Sequence, residues 1–113
     1  MPPLAVHARF TAHPGSGDEL AAAVDEMSDA AEQEAGTLVY AAHRDRDEPD
    51  AVVMYELYAD DDALDVHGAT EAAARFGSRL DGLLAREPEV WFSRPTRTKG
   101  LPAAGHDGHD ELG

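Results

Sequence analysis

Residues 52–76 read VVMYELYADDDALDVHGATEAAARF, and the change of character along this stretch decides the fold. Its first seven residues are apolar, β-branched or aromatic on both parities, with Glu56 as the one charged interruption, which predicts a strand covered on both faces. Asp60, Asp61 and Asp62 come directly afterwards. Carboxylates there accept hydrogen bonds from the free N–H groups of a first helical turn and are favoured by the helix dipole, so a helix begins at that point. It is short: Gly68 ends it, and Thr70 caps a second helix from Glu71. The stretch is therefore a strand, a short helix, a break and a longer helix, with His67 at the break.

Working outward, Leu4 to Ala12 alternates, with Leu4, Val6, Ala8 and Phe10 on one face and His7, Arg9 and Thr11 on the other, and reads as a strand. After the turn His13-Pro14-Gly15, Ser16 and Glu19 have the spacing of a capping box that opens the first long helix. Leu20, Val24, Met27 and Ala31 recur along it at helical spacing, and Gly36 is expected to end it. Thr37 to Arg44 is a second strand, and the short charged connection 45–50 predicts a hairpin with the third, Ala51 to Tyr58. On the downstream side Ala72, Ala73, Phe76, Leu80, Leu83 and Leu84 line one side of the longer helix, Pro88 breaks it, and Glu89 to Arg94 forms a fourth strand.

This order predicts an α+β fold of the ferredoxin-like, split βαβ kind, a four-stranded antiparallel sheet with its helices on one face. The third strand offers apolar side chains to the second face as well. That face is expected to pack against a second copy of the chain, giving a homodimer with a cavity between sheet and helices in each subunit. Residues 1–97 are expected to form the domain. Pro, Gly, His and Asp dominate the remainder, so 98–113 reads as a flexible, acidic, histidine-containing tail. His106 and His109 have the spacing of a weak metal pair, but a mobile tail cannot hold coordination geometry, and no metal is expected.

Composition narrows the function. A net charge of −14 over 113 residues argues against nucleic acid and against anionic membrane surfaces, since both call for a basic patch. The chain has no cysteine, which removes disulfides and thiolate metal sites. No apolar run approaches the roughly 20 residues that cross a bilayer, and no basic segment with an apolar signal core opens the chain, so a cytoplasmic location is expected. Phosphate-binding loops, nucleophile elbows and zinc motifs do not occur.

The segments EAGTLVY after the first helix, YELYADDDALDVH across the third strand and its helix, and PEVWF at the fourth strand, in this order, resemble the antibiotic biosynthesis monooxygenase family over about residues 4–94. The resemblance implies a dimeric α+β barrel. It also implies oxidation of a quinol, anthrone or related polyphenolic aromatic by O2, without cofactor, in a pocket between sheet and helices. Many members carry a second histidine in a pattern like H-x-x-S-x-H-F, where this chain has Ala72 in HGATEAAARF. That substitution favours an alternative, a non-catalytic dimeric protein of the same fold that binds a small molecule or serves a stress response. Haem binding or degradation is a third reading, for which the tryptophan and later histidine of haem-degrading relatives are missing.

His67 is the expected catalytic residue, a neutral imidazole that accepts a phenolic proton. The structural account of it is that it caps the short helix or bonds a backbone carbonyl. Trp91, Tyr55, Arg9, Glu56 and Phe76 are the expected substrate-binding residues, with Tyr40, Tyr58 and Phe92 as further aromatic walls and His7 beside Arg9 at the cavity mouth. Glu56, a carboxylate within an apolar strand, needs a partner, and Arg9, Arg94 or His67 are the ones in prospect.

Overall fold

The computed structural model describes residues 2–101. Its elements are β1 (Leu4–Thr11), α1 (Gly17–Ala31), β2 (Thr37–Arg44), β3 (Ala51–Tyr58), α2 (Asp61–Gly68), α3 (Glu71–Leu83) and β4 (Glu89–Ser93). The four strands form one antiparallel sheet in the order β2-β3-β1-β4, the α+β, ferredoxin-like plan read from the sequence. Residues 102–113, which include His106, His109 and most of the expected tail, lie outside the described residues. Among the described residues no helix is long and apolar enough to cross a membrane.

Strand register separates the side chains into two sets. Ala8 pairs with Met54 and Phe10 with Val52, and these four join Ala12, Leu20 and Val24 in the core, with Tyr40, Phe76, Leu80 and Leu84 packed against it. The helices therefore cover the face that carries the even-numbered residues of β1 and β3. His7 pairs with both Tyr55 and Trp91 on the opposite face. Val90, Trp91 and Phe92 of the edge strand β4 stay exposed.

Two expected helix signals act differently in the structure. Ser16 is the N-cap of α1, but its side chain makes no capping bond, so the Ser16–Glu19 capping box does not form. Asp50, at the end of the β2–β3 turn, takes its place: Oδ2 accepts from Gly15 N–H at 3.1 Å and Oδ1 from Gly17 N–H at 2.9 Å. A full carboxylate charge satisfies the positive end of α1 better than a hydroxyl does. Gly17 lets that turn come close, since a Cβ there would stand 2.4 Å from the Pro49 carbonyl oxygen.

Gly36 does not terminate α1, which stops at Ala31 with Glu32 as C-cap. Its role is contact. A Cβ on Gly36 would lie 2.6 Å from the Cβ of Ala63, and the Gly36 carbonyl accepts from Ala59 N–H at 2.9 Å, so the turn before β2 sits directly on the start of α2. The two caps expected for the split helix do form. Asp60 accepts from Ala63 N–H at 2.9 Å and Thr70 from Ala73 N–H at 3.0 Å.

Candidate functional site

His67 lies one helical turn beyond Ala63, on the α2 face that meets the α1–β2 turn. That turn is held by its own bonds. Glu34 N–H donates to Ala31 O at 3.0 Å, Thr37 N–H to Glu34 O at 3.1 Å, and the Thr37 hydroxyl to Glu34 Oε1 at 2.6 Å. The Glu34 carboxylate is thereby aimed at α2, and His67 Nδ1 stands 2.7 Å from the same Oε1. From the other side, the Thr70 hydroxyl donates to His67 O at 3.1 Å while it caps α3, which pins the break at the histidine.

The sheet supplies the floor beneath the imidazole. Tyr40 and Glu56 are cross-strand partners on β2 and β3, and Tyr58 lies two residues along on the same face. The ring centroids of Tyr40 and Tyr58 are 5.3 Å and 5.4 Å from that of His67. Tyr58 donates its hydroxyl to Glu56 Oε1 at 2.5 Å. Tyr58 is the partner that the sequence left open for Glu56. Arg9 and Arg94 do not reach it, because Arg9 is engaged with Asp45 at 2.7 Å and Arg94 with Asp61 at 2.8 Å.

Burial sets the proton affinities in this cluster. It pushes the Glu56 carboxyl up, against the Tyr58 hydrogen bond and the nearby His67, which both draw it down. It also raises both phenols: Tyr40 by desolvation and then by the charges of Glu56 and Glu34, Tyr58 by desolvation and then by Glu56. Both tyrosines therefore remain hydroxyl donors across the neutral range.

An ionised carboxylate only accepts, so the His67–Glu34 contact places the ring proton on Nδ1 and the lone pair on Nε2. Among the described residues Nε2 has no hydrogen-bond partner. It is not sealed from solvent either, the two sealed and partnerless side-chain atoms being Thr11 Oγ1 and Glu34 Oε2. The imidazole keeps 11% of its side-chain surface exposed. It is more tightly packed than the open cavity expected between sheet and helices, because Tyr40 and Tyr58 occupy the space beside the ring. Surface hollows at the end of α3 (Leu80, Leu84, Pro88), between α1 and α3 (Glu26, Arg79) and between α1 and β2 (Val24, Ala42, Val52) are not lined by His67. Among the described residues no three His, Cys, Asp or Glu side chains are placed to hold a metal ion.

Of the residues expected to bind substrate, only Glu56 joins His67. Phe76 is on the helix side but packs edge-on against Phe10, with centroids 5.7 Å apart, as part of the core. Tyr55, Trp91 and Arg9 point to the opposite sheet face, since strand neighbours alternate sides and all three share the parity of His7. There the His7 ring stacks on Trp91 at 5.4 Å and 4°, meets Tyr55 edge-on at 5.4 Å, and its Nε2 is 2.9 Å from the Ser93 hydroxyl. The Arg9 contact also holds the Asp45 carboxyl down at about 2. Glu34 escaped the sequence reading. It is one of two glutamates in EQEAG, 33 residues from His67, and nothing local sets it apart from Glu32.

Known proteins bear on this geometry in two ways. Comparison with curated proteins finds no match. Among solved structures, Rv0793 from Mycobacterium tuberculosis superposes with a TM-score of 0.79 at 28% identity, over 85% of this chain and 97% of its own. PA3566 from Pseudomonas aeruginosa gives 0.74 at 31% identity, over 88% of this chain and 97% of its own. SO0527 from Shewanella oneidensis gives 0.78 at 26% identity, over 83% and 91%. The antibiotic biosynthesis monooxygenase family model matches residues 3–79, a span that runs from β1 into α3 and includes Glu34, Tyr40, Glu56, Tyr58 and His67. With that span and the shared fold, the chain belongs to the antibiotic biosynthesis monooxygenase family.

Proposed function

We propose that the protein is a cofactor-independent monooxygenase of the cytoplasm that oxidises a quinol, an anthrone or a related polyphenolic aromatic with O2, His67 serving as the base. The observation that carries this reading is the Glu34–His67 pair, 2.7 Å apart, with Nε2 unpartnered among the described residues. Glu34 keeps the proton on Nδ1, and it stabilises the imidazolium that forms when Nε2 takes a phenolic proton. The phenolate so produced is electron-rich enough to pass one electron to O2. Recombination of the two radicals forms a carbon–oxygen bond, and the resulting peroxide breaks its O–O bond with loss of water. For an anthrone the balance is a CH2 group plus O2 giving C=O plus H2O. The substrate supplies all four electrons, so the reaction closes without another reductant.

The test is oxygen uptake over a panel of hydroquinones and anthrones. His67→Ala is expected to lower uptake by roughly a hundredfold or more, the usual contribution of a general base. Undiminished turnover by that variant would show that another group does the work. A second reading, a binding protein without catalysis, is favoured by the close packing of Tyr40 and Tyr58 against His67. It predicts that the same aromatics bind with no oxygen consumed. In either case we propose a homodimer joined through the sheet face that carries His7, Tyr55 and Trp91.

A further inference from the structure

We propose that the cluster around His67 selects neutral, hydroxyl-rich aromatics and rejects carboxylated ones, with Glu56 as the specificity-determining residue. This rests on the placement of the ligand at His67 proposed above, though not on its oxidation.

The unused polar atoms of the cluster are acceptors. Glu34 Oε1 already takes Thr37 and His67, while Glu34 Oε2 is sealed from solvent without a partner. Glu56 gives Oε1 to Tyr58, and its second oxygen has no partner among the described residues. His67 Nε2 is a third acceptor, as derived from the tautomer. An acceptor left without a donor forfeits a hydrogen bond, so a ligand that brings hydroxyl donors satisfies this site and one that brings further acceptors does not.

Charge acts in the same direction. All nine Arg and Lys side chains fall within the described residues, and none of them bonds Glu34 or Glu56. Arg9, Arg44, Arg46, Arg79 and Arg94 are engaged with Asp45, Asp18, Asp47, Glu26 and Asp61. Arg75, Arg86, Arg97 and Lys99 are exposed. Two carboxyl groups thus stand together with no Arg or Lys side chain to offset them, and a third brought in by a ligand meets repulsion that partial burial strengthens. Glu56 is the one of the two whose second oxygen is both unpartnered and not sealed, and it sits on the central strand β3 beneath the imidazole. It is buried, at 7% exposure, with Tyr58 satisfying one of its two oxygens.

Anaerobic isothermal titration calorimetry, in which no turnover occurs, tests this with naphthohydroquinone and its ring-carboxylated analogue. The protein is expected to bind the uncarboxylated probe about tenfold more tightly or better, a modest share of the repulsion between nearby charges. Glu56→Gln should lose most of the preference between the two probes, the charge being gone. Tyr58→Phe, which removes the hydrogen bond and leaves the carboxyl, should keep it. Equal affinity for both probes, binding of neither, or an unchanged preference in Glu56→Gln overturns the proposal. If Glu56→Gln fails to fold, the unmodified chain and Tyr58→Phe still decide it. Selective binding with no oxygen uptake would sink the monooxygenase reading and leave this one standing. Uptake that depends on His67, with no discrimination between the probes, does the reverse.

Discussion

Glu56 is the residue at which the competing forces in this protein are easiest to separate. It interrupts the apolar strand VVMYELY, is buried, and satisfies one oxygen through the Tyr58 hydroxyl. Because burial raises its carboxyl above the ordinary value of 4.5, the native state holds this proton more tightly than the unfolded chain does. A raised value means that its favourable contribution is whole below about 4.5 and is lost as pH rises through the folded value. Glu56→Gln retains an acceptor for Tyr58 and removes the titration. The urea midpoint of the variant is therefore expected to gain on that of the parent as pH rises from about 4.5 toward neutrality, and parallel pH profiles would contradict the account. His67 shows the complementary case. Its position in the sequence, before a glycine at a helix break, was enough to single it out, but the partner that defines its tautomer came from 33 residues upstream.

At the scale of elements, the pairing of His67 with Glu34 depends on how closely the α1–β2 turn approaches α2. Gly36 and Ala63 set that distance, since a methyl group on Gly36 would stand 2.6 Å from the Ala63 Cβ. Gly36→Ala is expected to cost about 1–3 kcal/mol, as overpacking does, and to weaken the downfield Nδ1 proton resonance of His67. Ala63→Gly alone should cost roughly 1 kcal/mol, the helix penalty of glycine. Combined with Gly36→Ala it should restore the resonance, because the added methyl then has room. Failure of the pair to compensate would show that the turn is positioned by something else. The start of α1 offers a second contrast. Asp50→Ala should lower stability by about 1 kcal/mol, in the range of a lost N-cap. Ser16→Ala, which removes no capping bond, should change the thermal midpoint by less than the equivalent of about 0.5 kcal/mol.

For the molecule as a whole, the unresolved balance lies on the sheet face away from the helices. Trp91 of the edge strand β4 is 49% exposed there, in a stack with His7 and Tyr55, while Val90 and Phe92, paired with Ala8 and Val6, are exposed on the helix side of the same strand. An apolar and aromatic area of this kind on a small domain is a surface for association. Sedimentation at micromolar concentration is expected to give a dimer, and Trp91→Asp, on a side chain that supports no core contact, to shift it toward monomer with the fold retained. A monomeric parent would remove the dimer from the proposal.

How much of this was legible beforehand follows from the range of the forces involved. The strand and helix sequence, the caps at Asp60 and Thr70, the β2–β3 hairpin and the sheet plan all come from alternation, helical spacing and capping chemistry, which act within a few residues along the chain. The exceptions are instructive. Ser16 and Gly36 carried strong local signals for a cap and a stop, and both were overridden by contacts from distant segments, Asp50 in one case and Ala63 in the other. The same holds for the site. Residue type was sufficient to mark His67 and Glu56 as unusual, yet only tertiary structure decided that Glu34 orients the imidazole, that Tyr58 satisfies Glu56, and that Tyr55, Trp91 and Arg9 belong to the other side of the sheet. Hydrogen bonds and ring contacts between segments depend on which surfaces the packed helices bring together, and that information is spread over the whole chain rather than held by any window of it.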